Sequence, residues 1–305
     1  MMRGKWGQCQ RRGLSARCRL RATAQVAMLL PMATIDDQST AIVQADSATK
    51  LGDDSRGAVI VTGSHGGRYA AYLTLRMHPR AVIHNDAGIG KDEAGIAVLE
   101  MAQALGVAAA TASNQSCRIG DAADMMARGT ISRANDRATL LGVASGMACK
   151  QAASLLALAK PSAQGPEPCQ EVRRVVEDPA WKRRIVLIDS ASLVLPQDMG
   201  QIVVAASHGA LIGGSPRLAL QVDAFAAVFN DAGVGVDQAG IGRLAALDTR
   251  GIAALTVASQ SARIGDALST YEDGTISHAN GRAVALGARV GDPLRSCLVG
   301  WASRP

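Results

Sequence analysis

The chain states one long phrase twice, and that duplication restricts its fold more than any other feature. NDAGIGKDEAGI at residues 85–96 returns as NDAGVGVDQAGI at 230–241. The match runs without a gap from 85–142 onto 230–287, with 31 identities in 58 positions. Upstream, with small gaps, IVQADSA (42–48) answers IVLIDSA (185–191), and VIVTGSHGG (59–67) answers IVVAASHGA (202–210). A period of about 145 residues is too long for a solenoid unit of 20–50 residues. It predicts a duplicated domain, with repeat 1 over 41–150 and repeat 2 over 184–297, packed as an intramolecular pseudo-dimer. Residues 151–183 read as an apolar helix followed by a linker, PSAQGPEP, whose prolines and glycine break regular structure. Residues 298–305 read as a tail.

Within each repeat, short apolar runs end in small polar residues: AIVQA, GAVIVTG, RAVIHN and GVAAATAS in the first. Runs that do not alternate in polarity suit strands buried on both faces of a parallel sheet. DEAGIAVLEMAQAL (92–105) has helical spacing and stops at Gly106, and SRANDRATLLGVASGM (132–147) reads as a helix capped by Ser132. The expected class is α/β, each repeat a mostly parallel, doubly wound sheet flanked by helices. In such sheets ligands bind beyond the carboxyl ends of the strands. The motif residues all follow strands, so they are expected along one edge.

Charge narrows the partners. The net charge is +6, but seven of the 32 Lys and Arg residues lie in residues 1–31 with no acid among them, and the remainder is nearly balanced against 26 acids. With only eight aromatics besides, a nucleic-acid surface is not expected. The basic leader (within residues 1–40) has three readings: a targeting segment, a disordered tail, or a start of translation that properly falls at Met32. No stretch suits a membrane span, because LLGVASGMACKQAASLLALA (140–159) carries Lys150 and Gln151 at its centre. The six cysteines are scattered without a C-x-x-C pair, which fits reduced thiols in a cytoplasm. No cofactor is expected; His65, Asp86 and Asp121 offer nitrogen and oxygen ligands that leave a metal open, but no H-E-x-x-H, D-x-D or clustered histidine supports one. A homo-oligomer is left open.

Three shared motifs carry candidate chemistry. In Ser64-His65-Gly66-Gly67 and Ser207-His208-Gly209, a histidine at a strand end offers a general base. In Asn85-Asp86 with Gly88, and Asn230-Asp231 with Gly233, a glycine loop opening a helix can bring backbone N–H groups to an anion, and the aspartate can orient the histidine. Asp92 and Asp237 read as helix N-caps. In the third motif Ser116 and Ser261 recur as hydroxyl nucleophiles, Arg118 and Arg263 as two-pronged anion clamps, and Asp121 and Asp266 beside them. An Arg–Asp salt bridge pinning the loop is the alternative for the last two pairs. GTIS-x-AN-x-RA, with Ser132, Asn135 and Arg137 answered by Ser277, Asn280 and Arg282, reads as capping and helix surface.

The leading expectation is a small-molecule hydrolase that cleaves an amide, ester or ring bond of a small anionic substrate. His65 or His208 would be its base, Asp86 or Asp231 the orienter, and Ser116 or Ser261 the nucleophile. One alternative is a non-enzymatic binder of a small anionic ligand through the same loops. Another is a Cys–His hydrolase through Cys117: Gln115-Ser116-Cys117-Arg118, 52 residues after His65, resembles the caspase motif Q-A-C-R-G with its upstream His-Gly, although Ala262 stands at the matching place in repeat 2. A third is purely structural, with the motifs serving as turn chemistry.

Overall fold

The computed structural model describes residues 41–304, so the basic leader and its three readings lie outside it. Strands β1 (Ile42–Ala45), β2 (Val59–His65), β3 (Ala81–Asn85) and β4 (Ala108–Ala112) pair in parallel, and β5 (Ile131–Ala134) joins β4 antiparallel. The second sheet repeats this with β7 (Ile185–Ile188), β8 (Ile202–His208), β9 (Ala226–Asn230), β10 (Ala253–Val257) and antiparallel β11 (Ile276–Ala279). It adds β6 (Arg173–Val176) antiparallel at its free edge, built from what the sequence presents as linker. The fold is therefore α/β, with two mostly parallel sheets of five and six strands.

Both faces of each sheet are buried, which is why the strands read as continuous apolar runs. Alternate residues of one strand serve opposite layers. Ile60 and Val82 pack under α1 (Arg68–Leu75) and α2 (Val98–Ala104), while Val59, Val61 and Ile83 pack under α3 (Ala122–Arg128), α4 (Asp136–Leu140) and α5 (Cys149–Leu156). In the second sheet Val203 and Phe229 face α6 (Arg243–Asp248); Ile202, Val204 and Val228 face α7 (Ala267–Asp273), α8 (Gly281–Ala285) and α9 (Leu294–Ala302). Residues 298–302, read from sequence as tail, complete α9 and bring in the buried Trp301.

Strand order corrects the doubly wound reading. Each sheet runs sequentially, without the reversal that defines a topological switch point. The opposite face is covered instead by helices around the antiparallel β5 and β11. The carboxyl ends still align: His65 sits opposite Asn85, and Asn85 opposite Ala112.

Three local expectations also change. The segment 132–147 is a strand end and then a short helix. Ser132 lies in β5 bonded to Thr111, and the cap is Asn135, whose Oδ1 accepts the Ala138 N–H at 3.0 Å. The segment 92–105 begins as a 3-10 turn and becomes α-helical only from Val98. Asp92 and Asp237 cap nothing. They sit at φ 53° and 57° inside those turns, and their carboxylates turn to arginines of the other half.

Candidate functional site

The repeated phrase lies where the two halves touch. Ala87, Gly88, Ile89 and Gly90 all have positive φ, as do Ala232, Gly233, Val234 and Gly235. L-residues adopt this conformation only when surroundings compel it, and a β-branched valine or isoleucine least readily. The compulsion here is hydrogen bonding. Asn85 Oδ1 accepts the Ala87 N–H, and Asp86 Oδ1 accepts the N–H groups of Gly88 and Asn114 at 3.0 and 2.9 Å. Asn230 and Asp231 repeat these bonds to Ala232, Gly233 and Ser259.

The loops then meet. A methyl on Gly88 would stand 3.0 Å from Gly233 Cα, so the two backbones are in contact. Asn114 Nδ2 donates to Ala232 O at 2.9 Å, Lys91 N to Ser259 O at 2.8 Å, and Val236 N to Asn114 O at 2.8 Å. Ala87, Ile119, Ala210, Ala232 and Ile264 form a small apolar cluster across the same seam.

This arrangement does not bring the sequence-derived relay together. Ser116 donates its hydroxyl to Ser113 O at 2.8 Å and accepts the Thr130 N–H at 2.9 Å; Ser261 does the same with Ala258 and Thr275. Those serines close turns. Asp86 and Asp231 spend Oδ1 on backbone amides and neither bonds a histidine. Arg118 is engaged by Asp121, Asp124 and Asp237, and Arg263 by Asp266 and Asp92, so neither is a vacant clamp. Asp121 and Asp266 are also the N-caps of α3 and α7. Cys117 is fully buried, and burial pushes its thiol up to about 11, far from a reactive thiolate. Gly66 and Gly209 are needed for packing, since a Cβ on either would lie 2.7 or 2.5 Å from the carbonyl of Gly95 or Gly240. Gly67 donates its N–H to His65.

The histidines do converge. His65 and His208 approach edge to face across the seam, ring centroids 6.3 Å apart. Both border a cavity of about 190 Å³ that also touches Ser64, Ser207, Arg243, Glu171 and Asp189. His65 Nδ1 accepts the Gly67 N–H at 3.0 Å and His208 Nδ1 accepts the Ala210 N–H at 3.3 Å. A ring nitrogen that accepts has no proton, so each neutral imidazole carries its hydrogen on Nε2. Burial pushes His65 down to about 4; burial, then Arg243 and His65, hold His208 well below its ordinary range. Both rings are therefore neutral donors near pH 7, and a general base at Nε2 is the one role this tautomer denies them. Ser64 and Ser207 accept the N–H groups of Ala48 and Ala191 at 2.9 Å, so their hydroxyl protons remain for other acceptors.

The decisive residue was missed by sequence reading. Arg243 is 2% exposed. Nε donates to Ala210 O at 2.9 Å, Nη1 to Ala219 O at 2.8 Å, and the guanidinium lies over Phe229. No carboxylate pairs with it among the described residues, and burial alone lowers it to about 10, which leaves it charged. Its signal was present: the ungapped repeat puts Arg243 at the place of Val98, a core position of the first half. Glu171, in the segment entering β6, had no counterpart to compare.

Among the described residues no group of three or more His, Cys, Asp or Glu could hold a metal, and no helix is long and apolar enough to cross a membrane. No family model, curated protein or solved structure matches the chain.

Proposed function

We propose that the chain binds a small anionic ligand in the cavity between His65, His208 and Arg243. The observation that carries this reading is the buried guanidinium without an acid. An isolated buried charge is costly unless something neutralises it, and a planar fork is suited to a carboxylate or phosphate. Two neutral imidazole N–H groups and two serine hydroxyls around it are further donors. Neutral donors do not lose their protons when an anion arrives, and they add hydrogen bonds without adding fixed charge.

The binding reading goes with a pseudo-dimeric arrangement of the duplicated halves. The cross-seam bonds of Asn114 and Val236, and of Lys91 and Ser259, support that arrangement, with the cavity formed where His65 and His208 meet. A cytoplasmic setting remains the reading of the scattered cysteines, four of which are free thiols.

Hydrolysis in the same cavity is the second reading, favoured by one observation. Nε2–H donors from two neutral histidines are what a developing oxyanion requires, as in enzymes that polarise a carbonyl with neutral imidazole. The serines of the turns have no part in it.

Calorimetric titration with propionate and with inorganic phosphate tests the first reading. Binding in the wild type that is lost in Arg243→Met is expected, and silence toward both anions overturns it. Turnover of small esters, amides and lactams, followed by NMR and lost in His65→Gln and His208→Gln, would support the second; no turnover across that panel would remove it.

A further inference from the structure

The cavity has an acidic end as well as a basic one. Asp189 closes β7, and its two oxygens accept the N–H groups of Ala267 at 3.0 Å and Val172 at 2.7 Å. Glu171 borders the same cavity, hydrogen-bonded to Ser190 and close enough to Asp189 to be repelled by it. No Lys or Arg forms an ion pair with either carboxyl among the described residues, Lys50 at the exposed rim included. Arg243 forms no ion pair with either of them, and its Nε and Nη1 donate to the carbonyls of Ala210 and Ala219. The two ends face one compartment, and each lacks the charge the other holds.

Resting on the anion-binding reading, we propose that the ligand is a small amino carboxylate, its carboxylate on Arg243 and its ammonium between Glu171 and Asp189. A plain carboxylate would neutralise the guanidinium and leave the acidic end unmatched. A plain amine would do the reverse. A zwitterion places an opposite charge at each end and brings no net charge into a half-buried space. The cavity, about 190 Å³, is somewhat larger than one of about 150 Å³ that holds benzene, which leaves room for roughly six to ten heavy atoms. His65 and His208 would add their Nε2–H groups to the carboxylate, and Tyr69, near enough to Glu171 to feel its charge, borders the ammonium end.

Protons report on this placement. Burial, with Asp189 adding to it, raises Glu171 to about 7, so near that pH part of the population is protonated. An ammonium arriving beside it favours the ionised form, and the displaced proton leaves to buffer.

The test is isothermal titration of the full chain at pH 7.0 with glycine, β-alanine, 4-aminobutyrate and 5-aminovalerate, and with propionate and propylamine as single-charge probes. One amino acid is expected to bind at least tenfold tighter than either single-charge probe. Its enthalpy should vary with the ionisation enthalpy of the buffer, as proton release requires. The spacer length that binds best reads the distance between the two ends. In Glu171→Gln, shown folded by circular dichroism, the advantage over propionate and the proton release should both disappear. Propionate binding as tightly as every amino acid, or a Glu171→Gln variant with its preference intact, overturns the zwitterion while leaving the anion site standing. Silence toward propionate and the whole series overturns the zwitterion, and silence toward inorganic phosphate as well overturns the anion site itself.

Discussion

Val98 and Arg243 make the same backbone bond. The amide of each donates to the carbonyl of a glycine in the histidine motif, Val98 to Gly66 and Arg243 to Gly209, at 2.7 Å in both halves. The scaffold thus holds the two positions alike and places a fully buried methyl-bearing side chain at one and a buried cation at the other. One position holds an apolar side chain, and its counterpart holds a charge.

Replacing Arg243 by Met keeps most of the volume and removes the charge. Affinity for propionate should fall at least tenfold, with Arg243→Lys intermediate because it keeps the charge and loses the fork. The carbonyls of Ala210 and Ala219 lose their partners at a cost of about 1–3 kcal/mol, and removal of the unpaired buried charge offsets part of it, so the ligand-free Met variant should lose less than that. Urea denaturation alongside titration separates the two effects.

Gly88 and Gly233 should be the least replaceable positions in the seam. Each has φ of +70° and touches the other's backbone, so Gly88→Ala combines left-handed strain with a forced separation of the halves. A loss of about 2–4 kcal/mol is expected from each. Gly251→Ala has the same φ of +70° and nothing within 4 Å, so it should lose only about 1–2 kcal/mol by the same measurement.

Acid should weaken the fold through its histidines. Burial pushes His65 and His84 down to about 4, so the unfolded chain takes up protons near pH 6.5 that the folded chain refuses until about pH 4. The stability this contributes is whole above 6.5 and is lost as pH falls toward 4. Glu171, raised to about 7, has the opposite slope between its ordinary 4.5 and 7. Glu171→Gln should therefore steepen the loss of stability on acidification, read as denaturation midpoints at pH 7.0, 5.5 and 4.5.

Covalent labelling separates the turn serines and the buried thiol from real nucleophiles. A fluorophosphonate should leave Ser116 and Ser261 unmodified, since both hydroxyls are committed within their turns. Iodoacetamide should reach Cys117 and Cys149 only on unfolding, because both are fully buried. Rapid native labelling of Cys117, seen by mass spectrometry, would restore the thiol mechanism.

Much of the fold was legible in the residues themselves. The continuous apolar runs from Val59, Ala81 and Ala108 marked buried parallel strands because a strand covered on both faces has no polar side to show. Their shared direction placed His65, Asn85 and Ser113 along one edge. The antiparallel β5 was not legible: ISRA is too short and too polar to stand out, and Ser132 looked like a cap because caps and strand-edge serines are the same residue type.

The site was legible only in part. The sequence by itself determined that His65 and His208 return at matched strand ends and that glycines crowd the same loops. Only the tertiary structure decided what those residues do. Asp86 and Ser116 carry the groups that catalysis uses, but their hydrogen bonds are spent holding a left-handed loop and a turn. Arg118 and Arg263 are neutralised by aspartates of their own half, joined by Asp237 and Asp92 from the other. Arg243 carried an unremarkable local sequence, and its meaning arises from burial beside a cavity with no acid to pair with. Hydrogen-bond commitment and desolvation are properties of surroundings assembled from distant parts of the chain, and residue type alone does not contain them.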